Sequence, residues 1–525
     1  MVDNANSQTG GSPLSMNFKN KMLSWLKRDI KRPSLLTALL VFLIAALVFS
    51  QYGFDGFLRR DHGVFLYSGQ QMAQGIPPYV SIFDHKGPLA PLVSGMAVSM
   101  ATLLNLDDIL VVRIAFFVLS SLAVAGLYLL GSKLFNSQKV GFLASFVFVG
   151  FTGFGIHAAS GPLPKTAMVL FEVLSLLLTA RKKWFWAGIC GSLAFLAWQP
   201  AGIFALITVV LAFLQSEPGR PRVRNVLSAI SGVLIPIVIV SLYFWYKGAL
   251  YELVDGAILF NLRHLERFES GVTPYPLLNH LLQPILMVNI GFKSMAIPIF
   301  IGFFMVPLMY VWRLRLYRSS FLNLIRKDHF SALLLSFALV TIWSLWEFQY
   351  YYDTFVFLPY VAIGFGWLLY LALQGLFKIK EIGTTTQKLC FIVLCAILIG
   401  SAAVNYRVMA NDELQEERQW AQQVESRFGT DARIVSISVP EILVLLHKTN
   451  PNPYLFICRG IDNRIDATTP GGFEGWLEEL ERYDPDVIAV GQVRSRFKPM
   501  LEDWLQSHYQ ETKVGSWTLY VKGDT

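Results

Sequence analysis

The chain has 525 residues, of which 54% are hydrophobic and only 15% charged, and it carries a formal net charge of +8. Soluble domains hold roughly 25% charged residues, so this composition excludes a water-soluble globular chain and makes lipid the solvent for most of it. The Lys and Arg excess lies in short loops between apolar stretches, which reads as a topology signal and not as a nucleic-acid footprint.

Residues 1–34 form a basic tail with Lys19, Lys21, Lys27, Arg28, Lys31 and Arg32, expected in the cytoplasm. The first apolar run follows it without an A-x-A site and is expected to act as an uncleaved signal anchor. Apolar runs then fall at 35–53, 112–132, 139–156, 165–180, 184–198, 199–215, 226–246, 293–312, 331–346, 354–374 and 388–404, where a spanning helix needs roughly 17–25 residues. A further run, 88–106, contains Pro88, Pro91, Ser94, Gly95, Ser99, Thr102 and Asn105. If it does not cross, the tail, Lys133–Lys139, Arg181–Lys183, Arg220–Arg224, Arg313–Lys327 and Lys378–Lys388 all fall on one side, and all are basic. If it crosses, that bias reverses, so 88–106 is read as a helix in the outer interface. The expectation is an α-helical polytopic protein of the plasma or inner membrane with about eleven transmembrane helices. Its core spans 35–404, with long outer segments at 51–111 and 247–292.

From 405 to 525 the composition changes, and this part is placed outside the membrane. Residues 412–428 read as an amphipathic helix ended by Gly429. Strands are expected at Ile434–Ser438, Tyr454–Cys458, Asp486–Val490 and Trp517–Val521, and helices at 440–447, 473–483 and 496–509. The alternation argues a small extracytoplasmic α/β domain. It has no glycine-rich phosphate loop, so no nucleotide site is expected. Cys190, Cys390 and Cys395 lie in apolar stretches and Cys458 stands alone in this domain, which therefore has no internal disulfide.

The first outer segment carries the chemistry. Asp61 precedes a helical stretch that Gly75 ends, and Pro77-Pro78 forces extended backbone. Asp84-His85-Lys86 follows, just before the interfacial run. A carboxylate can take a proton from an attacking hydroxyl, and a Lys can neutralise a phosphate as a point charge. Asp61 is equally suited to cap a helix N-terminus, and Lys86 to snorkel. Asp84 could orient Lys86 or His85, or act as a second acid. Lys165 could face a lipid phosphate or anchor its helix at headgroup level. Arg263 is a candidate phosphate partner, against a default solvated helix face. Tyr350 and Tyr352 read as an aromatic belt, with sugar stacking as the sharper alternative. His62 and His85 lack the spacing of a zinc motif, so no cofactor is expected, with a divalent metal left as the alternative.

This layout resembles the GT-C superfamily of integral-membrane glycosyltransferases. The likeness is strongest to the polyprenyl-phosphate-sugar-dependent branch related to protein mannosyltransferases and lipid A aminoarabinose transferases. The residues that carry it are Asp61, the stretch from Tyr67 to Gly75, Lys86-Gly87-Pro88-Leu89, and Gln349 to Asp353 with Leu358-Pro359. Two positions depart from that pattern. His62 stands where a second acid is common, and Gly87 replaces the first Pro of Lys-Pro-Pro-Leu. The resemblance implies a lipid-linked sugar phosphate as donor and a glycan, lipid or protein hydroxyl as acceptor. It implies Asp61 as base, Lys86 steadying the phosphate, and inversion at the anomeric carbon. The rival readings are a polysaccharide or lipid transporter or flippase, which would place ionisable groups in mid-membrane, and an O-antigen-ligase-like enzyme using a diphosphate donor. Among the apolar runs Glu172 is the exceptional mid-run acid.

Overall fold

The computed structural model describes residues 35–263, 296–317, 320–346, 351–380, 382–458 and 460–523. Helix α1 (Leu35–Phe49) is apolar on every face and runs into a turn at Ser50–Tyr52. After a loop come α2 (Arg60–Ala73) and α3 (Leu89–Leu104), the latter ending on left-handed Asn105. Helix α4 (Asp108–Phe135) starts at Asp107, whose carboxylate accepts the amide of Leu110 at 2.8 Å, a side-chain cap of the usual kind. Then follow α5 (Gln138–Val149), α6 (Thr152–Ser160), α7 (Pro164–Ala180), α8 (Trp184–Ala197), α9 (Gly202–Leu214) and α10 (Arg220–Tyr246). Helical turns occupy 250–263. The membrane part closes with α11 (Ala296–Tyr317), α12 (Phe321–Lys327), α13 (Ser331–Trp346), α14 (Leu358–Ile379) and α15 (Thr384–Met409).

Each apolar run is helical over most of its described residues, and the protein is a multi-pass membrane protein. Among the described residues six helical segments are at least 18 residues long and apolar enough to span, seven with the bent pair α5–α6. Four others, α7, α8, α9 and α13, have 17, 14, 13 and 16 residues. The run at 139–156 is broken, α5 and α6 meeting at 68°. Breaking a helix frees carbonyls that lipid cannot satisfy. Here Tyr406 of α15 fills that need, donating to the carbonyls of Val149 at 3.0 Å and Phe151 at 3.3 Å. Gly155 makes room for it, since a Cβ there would lie 2.1 Å from the Tyr406 hydroxyl.

The C-terminal part begins with α16 (Glu413–Phe428), which ends at Gly429 with φ +88°. It continues through β1 (Ile434–Ile437), α17 (Pro440–Leu446), α18 (Ile461–Thr468), α19 (Gly472–Tyr483), β2 (Val487–Val490), α20 (Lys498–His508), β3 (Tyr509–Val514) and β4 (Trp517–Lys522). The sheet order is β1-β2-β4-β3, with β1 parallel to β2 and the other pairs antiparallel. Residues 454–458 are not a strand of this sheet. They form an extended link whose Leu455 carbonyl accepts the Ser438 amide at 2.7 Å. Helix α18 and strand β3 were not anticipated, and Tyr509 opens β3 where a helix end was expected.

This part is seated directly on the helical bundle. The Asp55 carbonyl accepts the Leu414 amide at 2.9 Å, and the Pro453 carbonyl accepts that of Phe83 at 2.8 Å. Tyr67 of α2 accepts the Asn450 amide through its hydroxyl at 3.0 Å, and Arg464 pairs with Asp255 at 2.5 Å.

Candidate active site

The loop ahead of α2 is held from two sides. Buried Arg113 of α4 donates to the carbonyls of Phe54 and Gly56, the latter at 2.8 Å. From the C-terminal part, Glu417 accepts the Leu58 amide at 2.8 Å. These contacts fix the point at which α2 starts, and with it Asp61. Arg59 is the N-cap residue and makes no side-chain cap, while Asp61 lies in the first helical turn. The capping role considered for Asp61 is thereby corrected. Its charge still favours the helix N-terminus through the dipole, and Arg60 stands 4.0 Å from it.

Phe65 lies one turn after Asp61, on the same side of α2. The Lys86 ammonium sits over its ring, 5.0 Å from the centroid. Asp61 and Lys86 are thus presented on two different elements to one side of α2. The loop that carries Lys86 is built to hold it. Asp84 accepts the amides of His85 at 2.8 Å and Lys86 at 3.3 Å. The His85 carbonyl is gripped by Gln199 at 2.9 Å and Asn261 at 2.8 Å. Tyr79, at φ +68°, donates its hydroxyl to the Lys86 carbonyl at 2.6 Å. Asp84 and His85 are both buried. Burial pushes the Asp84 carboxyl up and Asp61 adds to this, while Lys86 and the two amides pull it back.

Both departures from the Lys-Pro-Pro-Leu and acid-pair patterns acquire a structural reason. A Cβ at Gly87 would lie 2.2 Å from the Leu196 carbonyl oxygen at the end of α8, so no larger residue fits there. His62 faces the bundle, fully buried, with Nε2 3.2 Å from Nδ1 of His157. His157 lies on α6, the second helix of the bent pair. Burial holds the His62 imidazole well below its ordinary value, and the charges of Arg113, Arg59 and Lys86 push the same way. His62 is therefore neutral near pH 7, unlike the acid it replaces.

The remaining candidates divide. Lys165 forms an ion pair with buried Asp353 and lies 5.0 Å over the Trp198 ring. Tyr352 packs edge-on against His157 at 4.7 Å. Arg263 is exposed at the end of the turn that carries Asn261, so it is tied to the Lys86 loop through that residue. Tyr350 lies outside the described residues. Among the described residues no three His, Cys, Asp or Glu side chains gather closely enough to hold a metal ion. Sequence reasoning missed Arg113, Gln199, Asn261 and His157. Arg113 had a signal, an arginine inside an apolar run, whereas the others act through contacts between distant segments.

Neither a family model nor a curated relative matches the chain. Among solved structures it is similar to ArnT from Cupriavidus metallidurans in the apo state, at 11% identity and TM-score 0.59, over 92% of this chain and 97% of that one. The same protein bound to undecaprenyl phosphate gives 12% identity and TM-score 0.59, over 94% and 99%. The archaeal oligosaccharyltransferase AglB from Archaeoglobus fulgidus, in complex with an inhibitory peptide and a dolichol-phosphate, gives 13% identity and TM-score 0.51, over 93% and 74%. At these identities the likeness is one of fold, and the fold is that of the GT-C glycosyltransferases.

Proposed function

We propose that the chain is a membrane glycosyltransferase. It moves a sugar from a polyprenyl-phosphate-linked donor to an acceptor hydroxyl on the face that carries the C-terminal sheet, and that face is extracytoplasmic. The observation that carries this reading is the placing of a carboxylate, Asp61, one turn before Phe65 on α2 and of an ammonium, Lys86, over the Phe65 ring. The GT-C fold supports it, as do the lipid phosphates held by ArnT and AglB.

In the proposed reaction Lys86 meets the donor phosphate, with Arg263 as a second cation on the facing segment. The acceptor oxygen attacks the anomeric carbon from the side opposite the phosphate, and the carbon–oxygen bond to phosphate breaks. Its electron pair leaves with the polyprenyl phosphate, and Asp61 takes the acceptor proton. The sugar is transferred with inversion. A phosphate ester leaves readily as an anion, so one carboxylate acting as base suffices. Asp84 serves by fixing the loop, since its carboxylate is engaged with two backbone amides. Lys165 is a further candidate for the phosphate and is held by its pair with Asp353. Tyr352 contributes the wall behind His157.

The test is incubation of the purified protein with a panel of polyprenyl-phosphate sugars, with transfer or donor hydrolysis read by mass spectrometry. Turnover of at least one donor, with Lys86→Ala raising the donor concentration required, supports the proposal. No turnover with any donor, together with lipid scrambling in liposomes, replaces it with the transporter reading.

A further inference from the structure

On the far side of α2 from Lys86 lies a cavity of about 560 Å³ between the bundle and the C-terminal part. It is formed by the end of α2, the turn from α3 to α4, helix α16 and the end of α17. The transfer reaction proposed above makes no use of it. Its position relative to lipid follows from the exposed side chains around it. Along α4, Leu110, Ile114, Val118 and Leu122 are exposed at every fourth residue, a single stripe facing outward. On α3 and its turn, Met96, Met100, Leu103, Leu104 and Leu106 are exposed in the same way. The α4 stripe stops two residues short of Asp108, which lines the cavity. An acyl chain lying on these stripes brings its headgroup to the cavity mouth.

The lining describes that headgroup. Asp107 is paired with Arg418 and also caps α4. Asp108 accepts the Gln70 side-chain amide on Oδ2 and the Ile109 backbone amide on Oδ1, each at 2.8 Å, yet the lone pairs of a carboxylate leave room for further donors. Glu425 adds a second negative charge that this pair does not neutralise. Gln74, Gln422 and the remaining Arg418 donors suit a phosphate. The cavity therefore offers carboxylates for an ammonium beside amide and guanidinium donors for a phosphate, at the point where lipid-facing surface ends.

We propose that this cavity is a binding site for the headgroup of a zwitterionic phospholipid bearing a primary ammonium, phosphatidylethanolamine being the probe. A choline headgroup has no N–H to give the carboxylates, and a glycerol headgroup carries no positive charge. The experiment is native mass spectrometry of the full chain after exchange in mixed micelles holding equal amounts of phosphatidylethanolamine, phosphatidylcholine and phosphatidylglycerol. The wild type retains phosphatidylethanolamine in roughly tenfold preference, the scale of one charge-assisted hydrogen bond. The double variant Asp108→Asn/Glu425→Gln loses that preference with its melting temperature kept, and Glu425→Gln alone, at an exposed position, weakens it. Equal retention of the three lipids by the wild type, a preference for phosphatidylglycerol, or a preference that survives the double substitution would each overturn the proposal.

Discussion

Replacing Glu441 by Gln probes how the C-terminal part is seated on the helix that bears Asp61. Glu441 opens α17, and α17 meets α2 at Gly63, where a Cβ would lie 3.2 Å from the Glu441 amide nitrogen. The carboxyl is buried, and its Oε2 has no hydrogen-bond partner among the described residues. Burial pushes it up to about 7 from an ordinary 4.5, while its own amide and Arg60 pull it back. The folded chain thus keeps a proton that the unfolded chain has lost. The associated stability is fully present below about pH 4.5 and is lost as pH rises, until Glu441 ionises in the fold near pH 7. The gap between the two values corresponds to about 3 kcal/mol. Glu441→Gln is neutral throughout and lacks this dependence. Thermal melts of variant and wild type at pH 5, 6, 7 and 8 should diverge, with the variant gaining on the wild type as pH rises and levelling off by pH 8. A difference independent of pH, or one that shrinks with rising pH, would refute the placement of a buried neutral carboxyl at this contact.

Gly87→Ala forces a Cβ to within 2.2 Å of the Leu196 carbonyl, so we expect a loss of roughly 1–3 kcal/mol from overpacking and a raised donor requirement through displaced Lys86, read by melting and by kinetics. Lys165→Met leaves Asp353 buried without its ammonium and should cost roughly 3–5 kcal/mol, whereas Lys165→Met/Asp353→Leu should recover most of it. A single variant as stable as wild type would show that the pair is not a buried one. Reporters fused after Lys388 and at Thr525 should report the cytoplasm and the outside, respectively. Both reporting the same side would overturn the orientation proposed here.

The apolar runs were legible because lipid imposes a simple demand, a long uncharged helix, and composition reveals it. Asp61 and Lys86 stood out as candidates in short, ordered motifs, and in the structure Lys86 lies over the ring of Phe65, one turn after Asp61 on α2. What stayed hidden depends on partners far away in the chain. The break at Gly150-Phe151 is stabilised by Tyr406, over 250 positions away. The reason for His62 is His157, 95 positions away, and that for Gly87 is the end of α8. Strand β3, reading Tyr-Gln-Glu-Thr-Lys-Val, is polar because it lies at the sheet edge, so hydrophobic alternation does not mark it. The Asp61 cap failed for a local reason, the helix beginning one residue earlier than its first good capping side chain.

Asp61→Asn tests the central claim most directly. Asp61 is not the helix cap, so the substitution costs no cap, and the first-turn charge it removes is worth roughly 0.3–1 kcal/mol through the helix dipole. Expression and melting should barely change. Asn cannot accept a proton near neutral pH, and loss of a general base typically costs about 10²–10⁴ in rate. The measurement is single-donor turnover at saturating polyprenyl-phosphate sugar, wild type against Asp61→Asn, with melting temperature recorded on the same samples. A folded variant slowed at least about a hundredfold is the predicted result. A folded variant that turns over like the wild type would contradict Asp61 as the base and pass the role to another carboxylate, Asp84 or Asp55.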